Sequence, residues 1–411
     1  MELDISWLGA RGDGVSDTSD GPVYVSCALP GERVRVDEPT MRGKAKAANL
    51  REILEVAPSR IKPVCRHFSE CGGCVAQHLE RNLYLGWKQE LVAKAMNRQG
   101  VDADVLLPLA VPPRTRRRIR LAFHQTNGRM LLGYRAARSR QLVDILECPV
   151  AVPELVSFLS PLREFLTGRA GKGEVAVTET MTGLDVVVFA EEEPGLDVRL
   201  DAPGFCAGAG IARLSWKSGV GELERVLVPK TPQIRFQQIA VEPPPDSFLQ
   251  PSAVGENILR DFVRQGTEGT SAVIDLFAGC GAFSLPIPAG GRKVHAVDVS
   301  ASQMEALQKA GQGMKLTVET RNLAHRPLSA EELGAYQVAI LDPPRAGAAA
   351  QISEIAKSDL PAVTYVSCNP ATFARDARAL TDAGYRIGPV QPVDQFLWSH
   401  HVELMTEFRR A

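Results

Sequence analysis

The chain runs Val273-Ile274-Asp275-Leu276-Phe277 straight into Ala278-Gly279-Cys280-Gly281. A short apolar run of this kind reads as a strand buried on both faces of a parallel sheet. A strand ending near an Asp and followed by a Gly-x-Gly turn is a nucleotide-type site, because glycines let the backbone approach a ligand closely. The next strand, Lys293-Val294-His295-Ala296-Val297, ends in Asp298, an acid able to bind both hydroxyls of a ribose. The loop lacks a full Gly-x-Gly-x-x-Gly fingerprint and has no Lys-Ser/Thr pair, which weakens dinucleotide and triphosphate readings. A plain tight turn in an α/β domain is the bland alternative.

Working outward, Val338-Ala339-Ile340-Leu341 leads into Asp342-Pro343-Pro344-Arg345. Ala362-Val363-Thr364-Tyr365-Val366 leads into Ser367-Cys368-Asn369-Pro370, and His401-Val402-Glu403 follows. Ligands of open α/β sheets sit at the carboxyl ends of strands, so an acid, a thiol and a second acid should converge on one crevice. A thiol and a carboxylate facing a bound cofactor suggest nucleophilic catalysis with proton removal. With Asp-Pro-Pro-Arg on the expected fourth strand, the pattern resembles class I S-adenosylmethionine methyltransferases. An amino-methyltransferase is a second enzyme reading, since Asp-Pro-Pro-aromatic motifs serve nitrogen methylation. Arg345 in place of the aromatic, together with Cys368, argues against it.

The 411 residues suggest two or three domains. Contents of 45% hydrophobic and 23% charged residues are those of a soluble globular protein. A net charge of −1 gives no global signature of nucleic-acid binding, so local patches must carry that argument. Met1-Glu2-Leu3-Asp4 does not start a signal peptide, and no apolar run reaches the length of a membrane span. A cytoplasmic, monomeric protein with no membrane partner is expected. Eight cysteines in such a chain argue for metal or catalysis over disulfides.

Residues 1–57 read as an OB-like β-barrel: Leu3-Asp4-Ile5-Ser6-Trp7, Gly12-Asp13-Gly14, Pro22-Val23-Tyr24-Val25 and Pro30 to Val36 are short strand candidates separated by turns. Arg42, Lys44, Lys46 and Arg51 would suit an RNA backbone, or line a solvated loop. Residues 58–245 read as a central α+β domain, with helices from about Leu79 to Gln99 and Val152 to Leu166. It holds the densest basic stretch, Arg114-Thr115-Arg116-Arg117-Arg118-Ile119-Arg120, which is either an RNA contact or a solvated strand. Pro243-Pro244-Pro245 reads as a linker. Residues 246–411 alternate strand and helix patterns, as an α/β Rossmann-like domain requires.

Cys65, Cys71 and Cys74 crowd into ten residues, with Gly72 and Gly73 between the last two. Three thiolates from one loop and a fourth from elsewhere suit a [4Fe-4S] cluster, and Cys148, which precedes Pro149, is the natural fourth ligand. Zinc is the rival, with His67 and His78 nearby, but two tight ligand pairs would be expected for it. Cys27, Cys206 and Cys280 read as packing residues.

Taken together these motifs resemble the RNA uracil-5-methyltransferase family over nearly the whole chain. Gly12-Asp13-Gly14-Val15 with Ala28-Leu29-Pro30-Gly31-Glu32 is similar to the TRAM domain, an OB-like RNA-binding module. Cys65, Cys71, Cys74 and Cys148 match that family's iron–sulfur ligands, and Gln77-His78-Leu79 the segment after them. Phe248-Leu249-Gln250 resembles its Phe-x-Gln motif, which implies that Gln250 touches S-adenosylmethionine. By the same matching Phe277, Asp298, Asn322 and Asp342 line the cofactor site. Ser367-Cys368-Asn369-Pro370 with Arg375-Asp376 matches the nucleophile segment, and His401-Val402-Glu403 the general-base segment.

Some positions depart from the pattern. Ala282 stands where a polar side chain is frequent, Asp298 where Glu is usual, and Pro251 where a small or polar residue is common. Val393-Asp394-Gln395-Phe396-Leu397-Trp398-Ser399 replaces an Asp-Met-Phe-Pro-x-Thr version, and Pro286 and Pro288 interrupt the helix after the glycine loop. These bear on fine positioning, not on the reaction class. The resemblance implies that Cys368 adds to C6 of a uracil, that C5 takes the methyl group, and that Glu403 removes the C5 proton. It points to 23S rRNA, with tRNA as the alternative, and to a flipped-out target base. A non-catalytic iron–sulfur RNA-binding protein is the reading from another class; it predicts no methyl transfer.

Overall fold

In the computed structural model, which describes residues 1–410, the N-terminal segment forms two small sheets. Glu2–Asp4, Arg33–Val36 and Leu50–Glu55 make one; Trp7–Leu8, Gly14–Thr18, Gly21–Val25, Ala45–Ala48 and Thr40–Arg42 make the other. Alternation in Arg33-Val34-Arg35-Val36 turns both valines onto a core of Leu3, Ile5, Val23, Val25 and Ala48. The Gly12–Gly14 segment is a turn rather than a strand: Gly12 has φ +83° and pairing begins at Gly14. Arg51, expected to be free for phosphate, instead pairs with Asp37 at 2.5 Å.

The central region is a seven-stranded sheet in the order Leu142–Asp144, Arg129–Arg135, Arg118–Thr126, Lys172–Thr180, Gly183–Ala190, Ile211–Ser218, Leu223–Leu227. Helices cover one face, where the Phe165 and Phe205 rings stack at 3.9 Å. The expected Val152–Leu166 helix is two, Pro153–Ser157 and Leu159–Leu166. The basic stretch needs correcting as a phosphate-binding strip. Arg117 is buried against Glu256, Arg118 pairs with Asp246 at 2.9 Å, and Arg120 reaches Asp246 at 2.5 Å. These arginines fasten the central sheet to the segment that follows it. The three prolines are held too: the Pro243 carbonyl accepts from Arg213 at 2.8 Å, whose guanidinium also forms a buried pair with Asp185.

The third sheet has the order Leu316–Thr320, Lys293–Asp298, Ala272–Leu276, Val338–Leu341, Ala362–Ser367, Glu403–Arg410, Gln391–Asp394, Leu109–Ala110, with Tyr385–Ile387 also paired to Glu403–Arg410. The first five are parallel and fully apolar where central, such as Val338–Leu341. Glu403–Arg410 runs antiparallel between two earlier strands. Among the described residues the crossover from Ala272–Leu276 to Lys293–Asp298 contains no α-helix. Two prolines leave only turns and a 3-10 turn at Pro288–Gly290.

This sheet recruits residues from far upstream. Leu109–Ala110 pairs with Val393–Asp394, and Val92 and Met96 of the helix Arg81–Arg98 share a core with Phe373, Ala377 and Leu380. Among the described residues no helix is long and apolar enough to cross a membrane.

Candidate active site

The glycine turn begins with strain. Phe277 has φ +68°, a left-handed conformation that costs a bulky residue on the order of 1 kcal/mol or more. It lets the Phe277 and Ala278 amides both donate to the Val297 carbonyl, at 2.9 and 3.1 Å, tying the turn to the neighbouring strand. Gly279, at φ +54°, has open space where a Cβ would stand. Asp298 receives Gly279 N on one oxygen at 3.0 Å and Ser300 N on the other at 2.9 Å, so the acid and the turn form one cradle. Asn322 is exposed beside it, its Oδ1 accepting from Ala324 N at 3.1 Å. Ala282 packs with the Cys280–Leu285–Leu307 cluster and presents no polar group. Cys206 and Cys280 are buried, in keeping with packing; Cys27 is half-buried at φ +65°.

Across the crevice a chain of side chains joins the two acids. Gln250 Nε2 donates to Asp342 Oδ2 at 2.9 Å. Gln395 Nε2 donates both to Gln250 Oε1 and to Glu403 Oε2, each at 2.8 Å. Glu403 is 2% exposed. Burial, then the nearby Asp342, holds its carboxyl well above the ordinary range, although the Gln395 bond opposes this. Burial and Asp275 push Asp342 up to about 7. Asp275, deeper and bonded to Ser284, is itself raised to about 7 by burial.

Cys368 follows the strand Ala362–Ser367, and Ser367 pairs with Leu404 across antiparallel strands. The thiol therefore faces Glu403 one residue further along each strand. Burial, then Glu403 and Asp342, push it up to about 12, while Arg345 pulls it down. Arg345 Nη2 lies 3.2 Å from His401 Nδ1, and Asn369 donates to the Arg345 carbonyl at 2.8 Å. His401 is lowered to about 4, chiefly by burial, so it is neutral near pH 7 and can accept from Arg345.

Two residues of this site escape the motif reading. Gln395 is one. Lys88 is the other: it is 0% exposed, paired with Asp394, and donates to the carbonyls of Phe396 at 3.1 Å and His401 at 2.8 Å. Tyr84 adds a bond to Asp394 at 2.8 Å and accepts from Trp398 N at 2.7 Å. The only sequence signal is that Tyr84, Lys88, Val92 and Met96 align at four-residue spacing, placing a lysine within a buried stripe.

A cavity of about 460 Å³ runs from Cys368 to Cys65, Cys71, Cys74 and Cys148, with Arg116 and His400 also on its wall. All four cysteines are free thiols. Gly72 lies against the backbone near Arg135, where an added Cβ would sit 2.8 Å from a carbonyl, and Gly73 N donates to Cys71 Sγ at 3.5 Å. His67 Nε2 accepts from Leu146 N at 3.1 Å, and His78 is buried against Phe68 with ring centroids 5.0 Å apart. His67 lines the cavity with the four cysteines but has Nε2 engaged by the backbone, and His78 lies outside the lining. Among the described residues no three His, Cys, Asp or Glu side chains gather closely enough for a single metal ion.

A family model described as tRNA (uracil-5-)-methyltransferase matches residues 325–409. An uncharacterized RNA methyltransferase of Mesorhizobium japonicum is 40% identical over 403 residues, covering 96% of this chain and 95% of its own. A 23S rRNA (uracil(1939)-C(5))-methyltransferase of Halomonas elongata is 34% identical over 434 residues, covering 98% and 88%. The tRNA (uracil-54, C5)-methyltransferase of Pyrococcus abyssi, solved with S-adenosyl-L-homocysteine, superposes with a TM-score of 0.81 over 99% of both chains at 23% identity, which speaks for the fold.

Proposed function

The chain belongs to the RNA uracil-5-methyltransferase family, and from that premise we propose that it methylates C5 of a uridine in 23S rRNA through a covalent bond between Cys368 and C6. The observation that carries this reading is the apposition of Cys368 and Glu403 on adjoining antiparallel strand ends, beside the Asp342–Gln250 pair. Addition of the thiolate to C6 moves the C5–C6 π electrons onto C5 and O4. S-adenosylmethionine supplies an electrophilic methyl group, which C5 takes, leaving the thioether product. Glu403 then accepts the C5 proton, the C5–C6 double bond re-forms, and the Cys368 thiolate is expelled. Arg345 is the cation nearest the thiol and favours its anion.

The cofactor is assigned to the cradle of Phe277, Gly279 and Asp298 with Asn322, and to Gln250 and Asp342 opposite. A strained, Cβ-free turn bonded to an acid at a strand end fits a nucleoside with a ribose. Residues 1–57 are assigned the role of a TRAM-like RNA-binding module, 58–245 that of a cluster-bearing domain, and 246–411 that of the methyltransferase domain. Cys65, Cys71, Cys74 and Cys148 would hold a [4Fe-4S] cluster. Four free thiols on the wall of one cavity supply the all-thiolate donor set that a cubane uses. Ribosomal RNA is preferred over tRNA because the Halomonas relative named for that substrate matches along nearly the whole chain. The protein is taken to act as a monomer in the cytoplasm.

The test is to map 5-methyluridine in ribosomal and transfer RNA from cells with and without the protein. Loss of one 23S rRNA site is expected. Loss confined to tRNA overturns the substrate, and no loss anywhere overturns the activity.

A further inference from the structure

The segment Val393–Ser399 departs from the family pattern, and the departure at Gln395 falls between the general base and the cofactor side of the crevice. Hydrogen-bond bookkeeping fixes how this amide must lie. Gln395 turns its NH2 toward Glu403 Oε2, the orientation that supports the ionised, purely accepting form of this carboxyl. Its second N–H then goes to Gln250 Oε1, which forces the Gln250 NH2 toward Asp342. Two amides thus bridge two buried acids in an orientation that supports the anion of each.

The network also distinguishes the two Glu403 oxygens. Oε2 is held by Gln395, whereas Oε1 is buried and has no partner among the described residues. The helix Ala253–Gly266 makes room for this arrangement. A Cβ at Gly255 would stand 2.6 Å from Gln395 Oε1 and 2.9 Å from its Cβ.

Resting on the methyl-transfer reading above, we propose that Gln395 is a positioning residue that orients Glu403 so that Oε1 takes the C5 proton, and that couples this base to the cofactor-side amide of Gln250. The charged groups around Glu403 are accounted for. Asp342 and Cys368 face it from the neighbouring strand ends. Asp394 on the adjoining strand is neutralised by Lys88, and Glu256 on the Ala253–Gly266 helix by Arg117 and Arg260. Removal of the Gln395 N–H therefore leaves Glu403 with no donor, which disfavours its anion and moves proton removal to higher pH.

The experiment uses full-length protein and a 23S rRNA transcript. Q395M should keep its fold by thermal melting and still form the adduct with a 5-fluorouridine transcript. On the unmodified transcript it should release product about tenfold more slowly, the worth of one hydrogen bond to a charged group, with a pH profile displaced about one unit to alkaline. Its affinity for S-adenosylhomocysteine, read by calorimetry, should fall several-fold as Gln250 loses its register. G255A, which leaves the Gln395 chemistry intact but crowds it, should shift the profile in the same direction. A folded Q395M with an unmoved pH profile and unmoved S-adenosylhomocysteine affinity overturns the proposal. Absence of any fluorouridine adduct in wild type would instead overturn the reading on which it rests.

Discussion

The two ends of the 460 Å³ cavity are built in opposite ways. At the Cys368 end Asp342, Cys368, Gln395 and Glu403 stand at strand ends with Gln250 in the loop before the helix Ala253–Gly266, and Asp342, Gln250, Gln395 and Glu403 are joined by bonds of 2.8–2.9 Å. At the other end Cys65, Cys71 and Cys74 lie on a loop without regular strands or helices, where the Gly73 amide donates to Cys71 Sγ. The first end is organised by the protein alone. The second brings four free thiols to the wall of one space. A reacting centre must be preorganised, whereas a site for a bound group can derive its order, and part of its folding energy, from that group.

The contrast is broken most completely by Cys368→Ala. No methyl transfer and no denaturation-resistant adduct with fluorouridine-containing RNA should remain on a labelled-RNA gel. Any adduct from that variant would place the nucleophile elsewhere. Glu403→Gln comes next, with turnover lowered about 10²–10⁴-fold, the usual worth of a general base. The protein–RNA adduct should accumulate on ordinary uridine, since the C5 proton has no acceptor. Free turnover with no trapped species would remove Glu403 from that role.

Cys148→Ser probes the opposite end. Anaerobically purified wild type should be brown and contain iron and acid-labile sulfide, and the variant should lose both. Its affinity for S-adenosylhomocysteine should stay within about twofold, because the cofactor cradle shares no hydrogen bond with the cysteine loop. Stoichiometric zinc without sulfide in wild type would contradict the cluster assignment. The smallest effect is in pH. With the thiol pushed up to about 12, adduct formation should rise with pH between 7 and 9, by about tenfold per unit while the thiolate is scarce. Glu403→Gln removes the acid whose anion raises the thiol, and should speed adduct formation several-fold at a pH where Glu403 is ionised. A flat profile in both proteins would mean that ionisation of Cys368 does not limit attack.

The strand-end residues are legible in the sequence because each follows an apolar run that can only be an interior strand: Val338–Leu341 announces Asp342, and Ala362–Val366 announces Cys368. Gln395 and Lys88 are not, since their meaning lies in partners distant along the chain. Gln250 is 145 residues from Gln395, and Asp394 is 306 from Lys88. Charge misleads at Arg117 and Arg118, where a run of arginines looks like a phosphate strip but answers Glu256 and Asp246, carboxylates contributed by another part of the chain. The break at Phe158 and the positive φ of Phe277 are backbone facts with no composition of their own.

The place of the final strand has a consequence for synthesis. Glu403–Arg410 is inserted between Ala362–Ser367 and Gln391–Asp394, and Gln391–Asp394 in turn holds Leu109–Ala110. A nascent chain leaves the ribosome N-terminus first, so the early strand and the helix Arg81–Arg98 must wait for almost three hundred residues before their sheet exists. Until that final strand is made, Gln391–Asp394 and Leu109–Ala110 have nothing to join them to the parallel strands.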